Sequence, residues 1–566
     1  MYESLTRPGP MDHWLQNAAR LTLSSLLSRL DLEMGGRPTF WVNFRDRPPR
    51  ASHSYWDYCD MSGRYVDAVV LARAMTGTRE GQEAEAALRA FFWAQQDSRD
   101  GLFYNPEGEA GRDSEISKYL LDPESSANRP RHVDMFCQRA PLMAMATLGA
   151  AGDDSYREGA RRLVSGLAGI ARHEGDEFWF PTYRWAPVLK PEWYEGKAAP
   201  ERWLGYRYAL LTGLARLAEL EGEGQARDLA LGLARWYMRH GDVPADGRFR
   251  ANTHSGGVLP TVVGIARLGW RFGERAMLDW CNSVYAWVCE SIPDFGFLPD
   301  GLGLEGFFST TSETCAIADL IHLALVLTEA GVGDYYDDIE RFARNQLLEN
   351  QYRDLGKLRQ AFPGIDDSVL DMLWGGFECA AFPNRLLTWD GAEGCCVGGG
   401  MRALYLVWRA AVTESERETR VNLGFSRSSP RVRVAGHEPW AGLIEARVLS
   451  PHRLLIRVPE QAMAGELRAM VDGAPLRPVL QGRYVVFDGL RAGQTAAIGY
   501  PLRESARDYH IAGKTYRGAW RGSTMMGISP AGEGYGIYER AGLLAGADPA
   551  ILVEDALPVP AQPALW

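Results

Sequence analysis

No stretch of the sequence reaches the roughly 18 consecutive apolar residues of a membrane-spanning helix, so we expect no transmembrane segment. The first residues, Met1 to Ser4, have neither the basic start nor the apolar stretch of a secretory signal. Eight cysteines in 566 residues are too few for a disulfide framework. We therefore expect reduced thiols with metal-binding or catalytic roles, and a cytoplasmic protein.

An excess of positive charge is also lacking, since the formal net charge is −11. Nucleic-acid binding needs concentrated Lys and Arg, so this class of partner is not expected. The sequence has no phosphate-binding Gly loop with a Lys, and no dinucleotide fingerprint after a predicted strand. It is rich in aromatic residues instead, with 18 Trp and 23 Tyr. Aromatic side chains suit clefts that bind sugars, although many tryptophans simply pack in cores.

Amphipathic helices follow one another through about residue 412. Loops rich in aromatic residues, Pro and Gly separate them, as at 40–43, 53–57 and 295–299. Paired helices with such loops at one end predict six inner and six outer helices, closed into an (α/α)6 barrel. An open helical solenoid is the alternative, but no fixed-period repeat favours it. The segments with apolar spacing of 3.6 are 11–30, 63–76, 80–96, 138–150, 155–173, 203–220, 225–240, 256–271, 274–290, 313–330, 334–350 and 400–412.

After about residue 413 the apolar period changes from 3.6 to 2. Segments 431–434, 453–459, 483–487 and 496–500 read as strands separated by Gly- and Asp-containing turns. This pattern predicts an antiparallel β-sandwich. The chain is thus predicted to be mainly α, with a barrel catalytic domain at 1–412 and a β-sandwich domain at 413–566. The Ala- and Pro-rich end from about residue 545 is predicted to be an extended arm.

Two cysteine motifs indicate the chemistry. Segment 312–315 reads Ser-Glu-Thr-Cys, and 394–400 reads Gly-Cys-Cys-Val-Gly-Gly-Gly. Three thiolates and one carboxylate make a complete tetrahedral set for Zn²⁺. Glu313 and Cys315 point about opposite ways in a regular helix, because each residue turns about 100°. They can face one metal ion only at the N-terminus of a helix. The N-cap candidates at 309–312 indicate that a helix begins here.

Each motif also has a structural alternative. Thr310 and Glu313 fit a capping box, in which Cys315 is a small buried residue. Cys395 and Cys396 form either a strained disulfide or two buried thiols. The coincidence of both motifs favours the four-ligand zinc site, with thiol pKa values lowered by a helix N-terminus and by the metal ion.

The segment Glu-Thr-Cys-Ala at 313–316, followed by Gly-Cys-Cys at 394–396, resembles the zinc-thiolate signature of the β-L-arabinofuranosidase family of glycoside hydrolases. The strand at 453–459 and the Asp-Gly turn at 472–473 also resemble the C-terminal β-domain of that family. The resemblance implies an (α/α)6 barrel with a β-sandwich and a retaining mechanism in which Cys395 attacks the anomeric carbon. The implied Zn²⁺ ligands are Glu313, Cys315, Cys395 and Cys396.

The resemblance further implies a Glu that acts as general acid and base upstream of the Glu-x-Cys motif. Glu305 is the nearest candidate and Asp300 is its rival. Glu305 lies only eight positions before Glu313, and Leu304 stands where the family has a Gly. The loop that shapes the sugar pocket is therefore expected to be shorter than in the family.

Six further residues are candidates for contacts with substrate. His254 opens a predicted helix where the family has a sugar-contacting His, with helix capping as the alternative. His132 precedes another inner helix, where a structural role is favoured. Trp56 with Asp57, and Trp389 with the aspartate after it, offer aromatic stacking and hydrogen bonds to hydroxyl groups. His322 lies among Leu and Ile in a predicted helix and is expected in the core.

The sequence favours a retaining, exo-acting glycoside hydrolase with a zinc-bound cysteine nucleophile, acting on an arabinofuranoside-like or related glycoside. A sugar epimerase or polysaccharide lyase on the same barrel is one alternative, although its His/Tyr or His/Glu acid–base pair needs no thiolates. A non-catalytic carbohydrate-binding protein with a structural zinc is the other. The expected partner is a small oligosaccharide or glycoside. Binding to nucleic acid or to a membrane is not expected, and the sequence is compatible with a homodimer.

Overall fold

A computed structural model describes residues 15–106, 131–185, 204–222, 224–244, 246–249, 254–303, 307–462 and 466–545. Within these ranges, no helix is both long enough and apolar enough to cross a membrane. Twelve helices correspond to the twelve predicted segments. In chain order they are α1 (Leu15–Ser28), α2 (Asp60–Thr76), α3 (Gln82–Ala94), α4 (Arg139–Ala150), α5 (Tyr156–Ile170), α6 (Leu211–Glu221), α7 (Gln225–His240), α8 (Ser255–Phe272), α9 (Arg275–Ser291), α10 (Thr314–Glu329), α11 (Tyr336–Phe342) and α12 (Gly394–Ala411).

Shorter helical segments join these helices. A π-helical turn, Ala343–Leu347, continues α11. The remaining short α-helices are Leu204–Tyr208, Phe307–Thr310, Leu355–Ala361 and Asp367–Leu373, and the 3₁₀ segments are Tyr55–Asp57, Glu460–Ala462 and Ala541–Ala545.

The even-numbered helices contact one another in cyclic order, and α12 returns to contact α2. Nearly every residue of α2, α8, α10 and α12 is buried. The odd-numbered helices pack on this ring: α3 on α2, α5 on α4, α7 on α6, α9 on α8, α11 on α10, and α1 on both α2 and α12. Most of them bury one face, as the apolar period of 3.6 predicts. The six inner helices thus form a closed ring around a common axis.

A small antiparallel sheet lies at one end of the ring. Its strands are Arg50–Ser52, Trp41–Asn43 and Gly391–Glu393, with Trp41–Asn43 in the centre. It therefore ties the chain that leads into α2 to the chain that leads into α12. Three two-stranded sheets complete the loops: Leu30–Asp31 with Arg37–Pro38, Val133–Asp134 with Arg184–Trp185, and Arg172–Glu174 with Glu177–Trp179.

The region after α12 is mostly antiparallel sheet, as predicted. Two sheets share one hydrophobic core, to which Leu454 and Phe487 contribute from one side, and Val434 and Ile498 from the other. The first sheet has, in spatial order, Val412–Glu414, Glu418–Val421, Arg453–Arg457, Tyr484–Phe487 and Leu480–Gln481. The second has Arg427–Ser428, Val432–Gly436, Leu443–Val448, Thr495–Gly499, Arg468–Val471 and Ala474–Leu476.

One strand pair differs from the antiparallel prediction. Glu418–Val421 and Arg453–Arg457 are parallel. Between them the chain passes through three strands of the other sheet before it returns, so it re-enters the first sheet in its original direction.

A third sheet follows, with strands Glu504–Ile511, Lys514–Arg521 and Thr524–Ser529. Its apolar face packs against the helical part, because Tyr509 and Trp520 share a core with Phe295 and Phe297. The predicted extended arm lies outside the described residues, which end at residue 545.

Candidate active site

Two neighbouring inner helices begin in the same way. Glu313 is the N-cap of α10 (φ −97°, ψ 133°), and Glu393 is the N-cap of α12 (φ −92°, ψ 136°). A cysteine follows each glutamate by two residues, Cys315 in α10 and Cys395 in α12. The backbone changes from extended to helical at each of these glutamates. The Glu and Cys side chains therefore need not point in opposite directions, as they would within a regular helix. The helix N-termini also favour negative charge on these groups.

The two motifs meet in a buried cluster of four donor atoms. The sulfur of Cys396 lies 3.6 Å from that of Cys315 and 4.0 Å from that of Cys395. The same sulfur lies 3.9 Å from Oε1 of Glu313. One ligand atom from each residue lies within 4.8 Å of every other. Three soft sulfurs and one carboxylate oxygen are a donor set that zinc accepts, so the cluster fits a divalent metal ion.

The cluster cannot readily carry three thiolates by itself. The neighbouring S–H groups of Cys395 and Cys396 lower the pKa of Cys315 well below its usual value. Donation to Cys315 raises the pKa of Cys395, and burial raises that of Cys396. Burial also raises the pKa of Glu313. A bound cation would oppose the raised pKa values of Glu313, Cys395 and Cys396 and favour the loss of their protons.

A cavity of about 100 Å³ opens beside the cluster, and Glu313, Cys315 and Cys395 form part of its wall. The residues just before each inner helix contribute one aromatic side chain to this cavity, and we call these six side chains the aromatic collar. They are Trp56 before α2, Phe136 before α4, Tyr206 before α6, His254 at the N-cap of α8, Phe308 before α10 and Trp389 before α12.

Most of the collar is continuous. The rings of Trp56 and Phe136 are 6.3 Å apart between centroids, those of Phe136 and Tyr206 are 4.7 Å apart, and those of Tyr206 and His254 are 5.0 Å apart. On the other side, Phe308 and Trp389 are 5.8 Å apart. A sugar entering the cavity would therefore meet aromatic faces, against which its apolar C–H groups can pack.

Carboxyl groups stand between the collar and the cluster. Nε2 of His254 contacts Asp300 and lies 3.5 Å from Oε2 of Glu313. Gly256 makes this approach feasible, since a Cβ there would lie 2.7 Å from the same Glu313 oxygen. Sγ of Cys395 lies 3.3 Å from Oε2 of Glu393. Burial raises the pKa of Glu393 to about 7, within the range that suits proton transfer at neutral pH.

Two arginines complete the cavity floor. Nε of Arg64 donates to Asp60 at 2.9 Å, and Nη2 of Arg139 donates to both oxygens of Asp319, at 3.0 and 3.1 Å. All four side chains are almost fully buried. These are charged pairs at the centre of the ring, where apolar packing would otherwise be expected.

The structure brings most of the predicted site residues together. The four predicted metal ligands form the cluster, and His254, Trp56, Trp389 and Asp300 line the cavity. Glu305 lies outside the described residues.

Two predicted contacts with substrate lie elsewhere. Asp57 is fully buried and accepts hydrogen bonds from Nε of Arg37 at 2.9 Å and from the backbone N–H groups of Phe40 and Ser54. It thereby shapes the loop that carries Trp56, and it does not line the cavity. His132 is buried, its backbone pairs with Asn105, and it does not line the cavity either.

Sequence reasoning missed Glu393, Tyr206, Arg64 and Arg139, all of which line the cavity. Glu393 could have been identified from the sequence, because Glu-Gly-Cys at 393–395 repeats the Glu-x-Cys spacing of 313–315. The signal in the sequence was weaker for Arg64, which forms an ion pair with the Asp four residues before it on a buried helix. Tyr206 and Arg139 had no local signal, because only the closed ring brings them to the cavity.

No protein-family model matches the chain, and no curated protein matches it. Solved structures do. A GH127 β-L-arabinofuranosidase from Geobacillus stearothermophilus T6 is similar over 90% of this chain and 80% of its own, with a TM-score of 0.57 and 12% identity. A second GH127 β-arabinofuranosidase is similar over 91% of this chain and 83% of its own, with a TM-score of 0.62 and 13% identity. A glycoside hydrolase matches over 87% and 84%, with a TM-score of 0.55 and 13% identity. The chain therefore has the fold of these enzymes.

Proposed function

We propose that the protein is a retaining glycoside hydrolase, distantly related to the β-L-arabinofuranosidases whose fold it has. The observation that carries the proposal is the buried cluster of one glutamate and three cysteines at the floor of an aromatic-lined cavity. We take the ring of inner helices for an (α/α)6 barrel, with residues 1–412 as the catalytic domain and 413–566 as a β-sandwich domain. The substrate is an arabinofuranoside or related glycoside, cleaved from its end.

The proposed cofactor is Zn²⁺, held by Glu313, Cys315, Cys395 and Cys396. Bound there, it would keep the cysteines deprotonated at neutral pH. None of the eight cysteines is in a disulfide, which fits a reducing compartment, and we propose the cytoplasm.

Cys395 is the proposed nucleophile. Of the three clustered cysteines, it is the most accessible at 9% relative exposure, whereas Cys396 is fully buried. Its sulfur attacks the anomeric carbon, and the bond from that carbon to the leaving oxygen breaks as a carboxylic acid protonates the oxygen from the opposite side. Water, deprotonated by the same carboxylate, then attacks the anomeric carbon and releases the Cys395 sulfur, so that two inversions give retention. The negative charge around the cavity favours the oxocarbenium-like transition states of both steps.

Glu305 and Asp300 are the proposed candidates for the general acid and base, and the position of Glu393 adds a third. Asp300 lies against His254, and Glu393 lies against Cys395 itself. The isosteric variants Glu305→Gln, Asp300→Asn and Glu393→Gln separate them. The true acid–base variant should retain the first step on a nitrophenyl glycoside, whose leaving group needs no proton. Azide should then restore its turnover and yield a glycosyl azide, and the other two variants should show no azide response.

The central experiment combines metal content with detection of the covalent intermediate. Protein purified under reducing conditions should contain about one zinc per chain, and Cys395→Ala should contain much less. On brief incubation with furanosides of L-arabinose, intact-mass spectrometry should find one added glycosyl group, mapped to Cys395. Cys289→Ala, a half-buried cysteine on α9, is the matched control and should behave as wild type.

The alternatives give different results in the same experiment. A carbohydrate-binding protein with a structural zinc would hold the metal ion and form no adduct. An epimerase or lyase would change or cleave a sugar without a glycosyl group on sulfur. Zinc-free protein that retained activity would refute the thiolate mechanism.

A further inference from the structure

Arg64 is held rigidly at the floor of the cavity. Its Nε donates to Asp60, one helical turn before it, at 2.9 Å. Its guanidinium carbon lies 5.6 Å from the centre of the Phe136 ring, a member of the aromatic collar. The side chain is only 5% exposed. An arginine fixed by an acid on one edge and an aromatic ring beside it presents its remaining edge in one direction.

The remaining edge of Arg64 makes no hydrogen bond within the described residues, where Arg64 donates through Nε alone. Its side chain lines the cavity, and Cys315 and Cys395 in the cavity wall interact with its charge. Arg139, which lines the same cavity, uses only Nη2 for Asp319, and its Nε and Nη1 are buried without a partner. Buried charged donors without acceptors are costly, so the free donors of Arg139 are arranged to receive acceptor atoms from a ligand, and Arg64 offers its Nη1–Nη2 edge to the same cavity.

We propose that the Nη1–Nη2 edge of Arg64, with Arg139 beside it, binds two neighbouring hydroxyl oxygens of the sugar whose anomeric carbon lies against Cys395. The inference rests on the proposed function and makes its substrate class narrower. Arg64 and Cys395 line one small cavity, so a single sugar ring that touches the sulfur lies within reach of the guanidinium. The planar edge offers two parallel donors, which match two adjacent oxygens and which lysine cannot reproduce.

The surrounding charge favours a neutral sugar over a uronic acid. Asp60 and Asp319 already neutralise the two arginines. The other ionisable side chains along the cavity are chiefly acidic: Asp300, Glu313 and Glu393, together with the cysteines. A carboxylate on the sugar would be repelled by this set, whereas hydroxyl groups accept the same hydrogen bonds without that repulsion.

The test measures binding of sugar rings that have no bond to cleave. The probes are 1,4-anhydro-L-arabinitol, its 2-deoxy analogue, and the analogue whose terminal carbon is oxidised to a carboxylate, each titrated calorimetrically into the zinc-containing protein. The variants are Arg64→Met and Arg64→Lys. Arg45→Met is the control, because Arg45 is about half exposed and pairs with Asp390 on the surface. The double variant Asp60→Asn/Arg64→Met guards against misfolding from an unpaired buried carboxylate.

We expect Arg64→Met to weaken binding of the complete ring by about tenfold or more, with Arg64→Lys in between and Arg45→Met unchanged. The 2-deoxy ring should bind wild type less tightly and lose less on the substitution, because one of the two contacts is already missing. Equal affinity of wild type and Arg64→Met, tighter binding of the carboxylate probe, or no binding of any probe would overturn the inference. Cleavage of nitrophenyl glycosides by the same samples tests the proposed hydrolase activity separately. Binding that depends on Arg64 but is not followed by cleavage would support the sugar subsite and count against the hydrolase activity.

Discussion

Gly256 leaves the space in which Glu313 and His254 approach each other. A Cβ at this position would lie 2.7 Å from Oε2 of Glu313 and 2.8 Å from Cε1 of His254. We therefore expect Gly256→Ala to displace Glu313 and to lower the zinc content and the metal affinity measured by chelator competition. Gly169→Ala is the matched control, because a Cβ at this exposed position on α5 meets nothing within 4 Å. It should leave metal binding unchanged and stabilise the helix by about 0.5–1 kcal/mol. Normal metal affinity in Gly256→Ala would contradict this reading of the site.

His53 makes the loop around Trp56 sensitive to pH. The hydrogen bond to Asp57 raises the pKa of His53 above 6.5, against the opposing effect of burial, and a second bond goes to Asp31. The folded protein thus holds this proton more tightly than the unfolded chain. The stabilisation is fully present below pH 6.5 and is lost as the pH rises through the higher pKa of the folded state.

We accordingly expect the difference in melting temperature between wild type and His53→Gln to shrink from pH 5.5 to pH 8.5, by roughly 1–3 °C. His510→Gln is the control, because His510 is exposed and its ring contacts a threonine hydroxyl. A difference between wild type and His53→Gln that is the same at both pH values would count against the ion pair.

Single residues differ in how far their roles can be read from the sequence. The clustering of Glu313 with three cysteines was predictable because Glu-x-Cys and Cys-Cys are rare local patterns with a specific chemistry. Asp57 lies outside the cavity wall, which the sequence could not reveal because a carboxylate next to a tryptophan looks the same whether it faces a sugar or is held by Arg37. Nothing in the sequence near Tyr206 says that its ring lies between Phe136 and His254.

Helices α4 and α10 stand opposite each other in the ring, and the pair Arg139–Asp319 joins them across its axis. Removing one partner leaves a buried charge unpaired. We expect Asp319→Leu, and likewise Arg139→Met, to lower the free energy of unfolding by about 3–5 kcal/mol. Arg139→Met/Asp319→Leu should be less destabilised, because no lone charge remains. Melting temperatures of wild type, the two single variants and the double variant form the cycle. Additive losses would argue against a pair that acts as one unit.

The helices themselves were predictable because each inner and outer helix carries an apolar period of 3.6, interrupted by Gly-containing turns. The parallel pairing of Glu418–Val421 with Arg453–Arg457 was not, since the residues of a strand do not encode the direction of its neighbour. The last helix of the ring was predicted over 400–412, whereas α12 begins at Gly394. The glycines at 398–400 lie within α12 and let neighbouring elements approach, as Gly400 does against Phe377.

The third C-terminal sheet belongs to the core of the helical part. Tyr509 and Trp520 pack in one cluster with Phe295 and Phe297, all of them buried. Ending the chain at residue 500 would expose this cluster while keeping all strands of the two preceding sheets. We expect such a protein to aggregate or to bind the dye ANS. Arg517→Ser, at an exposed position of the same sheet, is the control and should remain folded. A monomeric chain of 500 residues that binds no dye would contradict this account.

At the scale of the molecule, the change from helices to strands near residue 412 was visible in the sequence, since the apolar period changes there. The contact between the third sheet and the helices was not, because apolar residues on a strand look alike whichever layer they face. The aromatic collar was likewise only partly visible, as Trp56 and Trp389.

The collar divides the cavity wall among six separate stretches of chain, whereas the cluster of glutamate and cysteines depends on only two. A substitution, insertion or deletion in one of the other four loops can reshape one sector of the wall while the proposed nucleophile, Cys395, keeps its surroundings. Preference for different sugars could therefore diverge among descendants of this scaffold loop by loop, with the chemistry at the floor inherited intact.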